Sequence, residues 1–257
     1  MRERDRHAAV LNYTLLPAIL GYVLTPFFAV AGGKIRAVLF DLDGTLLDRA
    51  SSLELFLNQQ YDRFTDPLSA INREIYFQTI IELDRHGYVP KPEVYAQIQE
   101  KFQLSSELGL ALLDDFETRF HGLAIPFSGM HEMLKSLSSM SLAMGLISNG
   151  ATRSQRPKIE ALGIADYFGV VLISEEQGVR KPDPDIYHRA MRKLGSNPEN
   201  TVFIGDHPEA DIEGAAKLGL KTIWKRNNCW PAPKQPDAAI DGLEEIPSII
   251  TLWREAE

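Results

Sequence analysis

Apolar positions fall along the chain in two rhythms. Short continuous runs without alternation, "KIRAVLF" (34–40), "LAMGLIS" (142–148), "GVVLIS" (169–174), "TVFIG" (201–205) and "LKTIW" (220–224), predict strands buried on both faces of a parallel sheet. Between them, apolar residues recur at three- and four-residue intervals in "GMHEMLKSLSS", "KIEALGI", "DIYHRAMRKLG" and "PEADIEGAAKLG". These predict helices, and the last two close on a glycine suited to a helix C-terminus. Strands alternating with helices imply an α/β fold with a doubly wound sheet, whose ligands sit outside the carboxyl ends of the strands.

Residues 51–126 break this alternation. No strand pattern occurs there, and four amphipathic helical stripes take its place: Leu53, Phe56, Leu57, Tyr61 and Phe64; Ile71, Ile75, Ile80 and Leu83; Val94, Ile98 and Phe102; Leu108, Leu112, Phe116 and Phe120. Gly87 follows the second stripe, and Ser105 can cap the fourth. The stripes predict a helical insertion (51–126) with its own core, set between 34–50 and 127–257 of the α/β unit.

Composition narrows the class. With 257 residues, 44% hydrophobic and 24% charged, the chain is an ordinary globular one, and a net charge of -8 argues against binding a nucleic-acid backbone. A small anionic ligand needs only a local cationic site. The single cysteine, Cys229, has no partner for a disulfide or a zinc site. Residues 1–33 differ from the rest: Arg2, Arg4 and Arg6 precede an apolar run from Leu15 to Ala31, with "AVA" before Gly32. Three readings compete there: a mis-assigned start or dispensable extension, an export signal, or a retained membrane anchor. The third is weakened by Pro17 and Pro26, and by a run short of the roughly 20 residues of a span. The expectation is a cytoplasmic monomer or dimer, with export as the alternative and membrane contact only through a retained anchor.

Candidate chemistry sits at the strand ends. "AVLFDLDGTLLD" leaves the first strand through Asp41 and Asp43, which extended alternation would point the same way. Two like charges buried together call for a cation or a proton, and a hard divalent cation that shares its shell with phosphate fits. Gly44 permits the turn that follows. The second run ends in "SNG" (148–150), a hydroxyl and backbone N–H groups before a helix. After the third, Lys181 precedes a proline-pinned loop, and the fourth gives Asp206 with Asp211 five residues on. Singly, each is also an ordinary cap or turn.

Taken in order, "DLDGTLLD", "SNG", "RKPDPDIY" and "GDHPEAD" resemble the haloacid dehalogenase superfamily, in its branch of phosphatases with a helical cap between the first and second motifs. The resemblance runs from about Lys34 to the C-terminus and implies a Rossmann-like, mostly parallel sheet carrying an all-helical cap. By that resemblance Asp41 is the nucleophile, forming an aspartyl-phosphate, and Asp43 the general acid and base. Ser148 and the N–H of Asn149 bind phosphate with Lys181, which also neutralises the nucleophile. Mg²⁺ is held by Asp41, Asp206 and the main-chain carbonyl of Asp43, while Asp211 orients Lys181 or a metal-bound water.

Retention of an acid at Asp43 disfavours carbon–halogen cleavage, since halide leaves without a proton. Ala210 stands where many relatives carry asparagine, and Pro157 lies near the start of the helix after "SNG". The function implied is Mg²⁺-dependent hydrolysis of a small phosphorylated metabolite. A sugar phosphomutase on the same catalytic set and a non-catalytic regulatory protein are the alternatives. His86, Tyr88, Lys91, Arg63, Arg73 and Arg85 are polar cap residues that read first as solvated surface. His207 reads as a local hydrogen-bonding group, and Trp224, Trp230 and Cys229 read as packing.

Overall fold

The computed structural model describes residues 34–256, so the readings made for 1–33 lie outside the described residues. Six strands, β1 (Ala37–Phe40), β2 (Ala143–Ser148), β3 (Val170–Ile173), β4 (Thr201–Gly205), β5 (Lys221–Lys225) and β6 (Ala238–Ile240), form one parallel sheet in the order β3-β2-β1-β4-β5-β6. Five of them match the apolar runs. The sixth is three residues, "AAI", at the sheet edge, too short to show a pattern. The strand order reverses between β1 and β4, which places a ligand crevice beyond the carboxyl ends of those two strands.

Among the described residues eleven α-helices surround and extend the sheet. Five belong to the inserted segment: α1 (Arg49–Arg63), α2 (Thr65–Leu68), α3 (Arg73–Asp84), α4 (Lys91–Lys101) and α5 (Ser106–Arg119). The others are α6 (Met130–Ser139), α7 (Thr152–Ala161), α8 (Ser174–Gln177), α9 (Pro184–Leu194), α10 (Gly214–Ala216) and α11 (Ile246–Glu255). Alternation along β1 decides the layers. Val38 and Phe40 pack with Met133, Leu137, Ile159 and Ile250 of α6, α7 and α11, while Leu39 packs with Ile186, Tyr187 and Ala215 of α9 and α10. A helical layer on each face confirms the doubly wound α/β class.

The inserted helices close around a separate cluster that includes Leu53, Phe56, Tyr76, Ile80, Val94, Ile98, Leu112 and Phe116. At its centre Gln60 accepts from both Tyr76 and Tyr95 at 2.9 Å through Oε1 and donates to the Leu112 carbonyl at 2.8 Å. Asp48 caps α1 through Ser51 N, and Ser105 caps α5 through Leu108 N. One stripe position is corrected: Ile75 is 55% exposed, and Tyr76 and Phe77 take the buried face. Asn72 caps α3 and fixes its phase, which turns Ile75 outward. Helix α7 is also longer than its apolar pattern, because it begins at Thr152 and carries Pro157 inside. Among the described residues no helix is long and apolar enough to cross a membrane.

Candidate active site

Strands β1 and β4 run in register, Phe40 opposite Ile204, so the residues that follow them are neighbours. Asp41 N donates to the Ile204 carbonyl at 2.9 Å, which holds Asp41 beside the end of β4 and near Asp206. Lys181, 2% exposed, reaches in from the loop before α9 and donates to Asp41 Oδ1 at 2.6 Å and Asp211 Oδ1 at 2.7 Å. Asp211 accepts on its other oxygen from His207 N at 2.9 Å. Thr45 donates to Asp41 Oδ2 at 3.3 Å, and Asn227 to Asp206 Oδ2 at 2.7 Å. Sequence expectation placed Asp41, Lys181, Asp206 and Asp211 together, and the structure brings them together.

Three carboxylates are buried here, and Lys181 pairs with two of them, Asp41 and Asp211. Burial raises Asp41 well above the usual carboxylate range, offset in part by Lys181 and reinforced by Asp211 and Asp206. Burial and Asp211 push Asp206 up to about 7. Burial opposes the charge on Lys181, but Asp211 and Asp41 outweigh it and keep the amine protonated. Oxygens from Asp41, Asp206 and Asp211 all lie within 4.8 Å of one another. An oxygen-only donor set with surplus negative charge fits a hard divalent cation. Gly44 lets the chain turn at φ +88 beside this cluster, where any Cβ would strike the Asp206 carboxylate.

Asp43 is separated from the cluster. The strand ends at Phe40 and the chain then coils back, so extended alternation fails and the Asp43 carboxylate turns towards α7. Lys158 donates to its Oδ1 at 2.8 Å and Gln155 to its Oδ2 at 2.6 Å. Burial alone would raise this carboxyl, but Lys158 and Arg49 hold it below the ordinary range. Gln155 donates also to Ser148 Oγ at 2.6 Å, tying the second strand end to the first. Asn149 exchanges side-chain hydrogen bonds with the backbone of Lys181, both at 2.9 Å, and so fixes the loop that presents the lysine. Gln155 and Lys158 were not singled out in the sequence. Their signal is a polar pair three residues apart on the helix after a strand end, both facing inward.

A cavity of about 820 Å³ opens above these groups. Its cap wall includes Arg49, His86, Tyr88, Lys91, Phe120 and His121. Of the polar cap residues named from sequence, His86, Tyr88 and Lys91 therefore face the site. Arg63 instead pairs with Asp115 at 2.7 Å, and Arg73 pairs with Asp62. His207 Nδ1 accepts from Glu209 N at 3.2 Å and Ala210 N at 3.0 Å, a local role as read from sequence. Trp230 does more than pack: its ring lies 4.5 Å from His207, 5.5 Å from His86 and 5.6 Å from Tyr88, joining cap and core at the mouth. Burial, then Lys158, lowers His121 to about 4, so it is neutral at physiological pH.

An open parallel sheet with an acidic crevice at its switch point and a helical insertion after β1 defines a class of α/β hydrolases. The chain belongs to the haloacid dehalogenase-like hydrolase family, whose model matches residues 38–225. It is similar to the glyceraldehyde 3-phosphate phosphatase of Methanothermobacter thermautotrophicus, with 31% identity over 197 residues, 74% of this chain and 84% of that one. It is also similar to the ribulose-1,5-bisphosphate 5-phosphatase of Halopiger xanaduensis, 28% identical over 242 residues, 84% of this chain and 99% of that one. Among solved structures, the magnesium-bound HAD-hydrolase YfnB from Bacillus subtilis superposes with a TM-score of 0.67 at 24% identity, covering 85% of this chain and 99% of that one. The protein is a hydrolase, and the two relatives named above are phosphatases.

Proposed function

We propose that the protein is a Mg²⁺-dependent phosphomonoester hydrolase that works through an aspartyl-phosphate on Asp41. The observation that carries this reading is the separation of two strand-end carboxylates into unlike surroundings, Asp41 against Lys181 and Asp43 against Lys158. Asp41 attacks phosphorus, the bond from phosphorus to the ester oxygen breaks, and Asp43 gives its proton to the departing oxygen. Water then attacks the phosphoryl group while Asp43 takes back a proton, and inorganic phosphate leaves with Asp41 restored. Ser148 and the Asn149 N–H hold the phosphoryl oxygens, Lys181 neutralises the nucleophile and phosphate, and Asp211 steadies Lys181. Residues 51–126 act as the cap over a core formed by 34–50 and 127–257, and exclude water from the site.

In the free protein the carboxyl shifts run opposite to these roles, Asp41 raised and Asp43 lowered. Ligand charge reverses them. Mg²⁺ held by Asp41 and Asp206, with the Asp43 carbonyl, would supply the positive charge that ionises Asp41 and shields the phosphoryl oxygens. The phosphate dianion in turn raises Asp43 by repulsion.

The test measures phosphate release from a panel of phosphorylated metabolites by the purified protein, in Mg²⁺ and in chelator, beside Asp41→Asn. Metal-dependent release that falls on the order of 10⁴-fold or more in the variant is expected. Near-wild-type release by a folded Asp41→Asn protein would defeat the nucleophile assignment.

A further inference from the structure

The cavity of about 820 Å³ is far larger than a phosphoryl group requires, so most of it belongs to the leaving group. Three cations, Arg49 and Lys91 on the helices of the inserted segment and Lys158 on α7 facing them, line it. Two carboxylates, Asp43 and Asp84, pair with them, while Glu117 on the same wall is taken by Arg153. Lys158 is taken by Asp43 at 2.8 Å. Arg49 and Lys91 share Asp84, a side chain that is 1% exposed.

The sharing is unequal. Lys91 donates to Asp84 Oδ1 and to the Val89 carbonyl. Arg49 Nη1 stands 2.8 Å from Asp84 Oδ2 as an ion pair, poorly aligned for a hydrogen bond, and its remaining guanidinium N–H groups have no side-chain or carbonyl acceptor among the described residues. The guanidinium lies against Gly87, where a Cβ would stand 3.0 Å from its Nε, Cζ and Nη2. A side chain at Gly87 would crowd it out. The Phe120 ring lies 6.0 Å from Cζ on the cap wall. The N–H fork is thus boxed in by a backbone and a ring, with the cavity as its free side.

The wall is held in place at a backbone cost. Arg85 and His86 adopt φ of +43 and +57, and Gly87 follows at +92. Left-handed backbone at two consecutive non-glycine residues persists where surrounding contacts fix it, and such strain gathers at ligand clamps. Arg49 also acts on Asp43, so three cations, Arg49, Lys91 and Lys158, share two acids, and the one positive charge left over in a largely buried wall is a cost that an arriving anion removes.

We propose that this wall binds a second anionic group on the substrate's leaving group, a carboxylate or a further phosphate, with Arg49 as the main contact and Lys91 beside it. The inference rests on the phosphatase reading above. It makes the substrate a phosphomonoester that carries at least one more negative charge. The similar proteins do not decide the point, since glyceraldehyde 3-phosphate leaves an uncharged remainder and ribulose-1,5-bisphosphate a second phosphate.

The experiment compares kcat/KM for glycerol 3-phosphate, 3-phosphoglycerate and glycerol 1,3-bisphosphate, with p-nitrophenyl phosphate as a report on the chemistry alone. The wild-type protein is expected to favour a charged member over glycerol 3-phosphate on the order of tenfold, mainly through KM. Arg49→Gln collapses that preference and Arg49→Lys restores part of it. Whether the carboxylate or the second phosphate gains more identifies the anion. Equal turnover of all three esters by the wild type overturns the inference, as does a folded Arg49→Gln protein that keeps the preference. If circular dichroism shows Arg49→Gln unfolded, the same comparison with Lys91→Gln decides. Asp41-dependent turnover of p-nitrophenyl phosphate with no preference among the esters overturns this inference alone. No turnover of any ester overturns the phosphatase reading with it.

Discussion

Two charge clusters line the cavity, unbalanced in opposite directions. On the core side Lys181 pairs with Asp41 and Asp211 and leaves Asp206 without an ion pair, and on the cap side Arg49 and Lys91 share the single carboxylate of Asp84. A third acid, away from the cavity, shows the contrast: Asp115 also takes two cations, Arg63 through hydrogen bonds at 2.8 and 2.7 Å and Arg119 at 3.1 Å, but Arg119 is 61% exposed and water meets its charge. Inside the cavity the excess on either side has no such outlet to solvent, and the opposite signs are the reason for proposing a cation at the strand ends and an anion at the cap.

The largest effect that can break this comparison comes from Asp206→Asn. It removes a cation ligand, and phosphate release falls on the order of 10³-fold. The same change reduces the acid surplus, so the metal-free protein at neutral pH gains about 1–2 kcal/mol, read as a higher Tm in chelator. An activity loss with a lower Tm would mean that the three carboxylates are not in surplus. Asp84→Asn probes the opposite side and should move stability the other way. It strips the shared anion from Arg49 and Lys91 and costs about 3 kcal/mol, lowering Tm by roughly 6–12 °C for a domain of this size. A variant as stable as wild type would show that solvent, rather than Asp84, compensates those cations.

Legibility in the sequence followed the same division. The core groups lie at strand ends, and a strand end is fixed in space by its sheet: apolar runs at 34–40 and 201–205 were enough to bring Asp41 and Asp206 side by side. Asp43 was placed less well, because its direction depends on how the chain coils after Phe40 and on two α7 partners whose inward phase an apolar count does not register. Lys158 illustrates the reason. A buried lysine in a polar helix turn looks like surface until the acid it meets is known, and that acid lies 115 positions earlier. The cap was harder still. Its stripes gave helices and a core, but Arg49, Asp84 and Lys91 meet only through the packing of α1, α3 and α4, which no local pattern encodes. Trp230 likewise lies in the long connection between β5 and β6, where sequence offers no periodicity.

The smallest effect is a pH dependence with opposite slopes for the two clusters. Asp206 sits at about 7 in the folded protein, against an ordinary value of about 3.9. Between about pH 4 and 7 the folded state therefore binds more protons at this site than the unfolded chain does. The site's contribution to stability is greatest at the acid end of that window and is lost as pH rises through it. Asp84 behaves in reverse: burial would raise it, but Arg49 and Lys91 hold it below its ordinary value, so its contribution is present at neutral pH and lost as the medium falls below about pH 4. His121, lowered to about 4 in the folded protein, gives an opposite slope over the same window, so the Asp206 effect is read as a difference. In chelator, the Tm of wild type relative to Asp206→Asn is expected to fall by roughly 5 °C between about pH 4.5 and 7, for a loss of about 2 kcal/mol in a domain of this size. Saturating Mg²⁺ should flatten that slope, since a cation takes the place the proton held. A difference that stays flat in chelator would leave the core cluster without its surplus of acid, and would remove the physical reason for expecting a cation there.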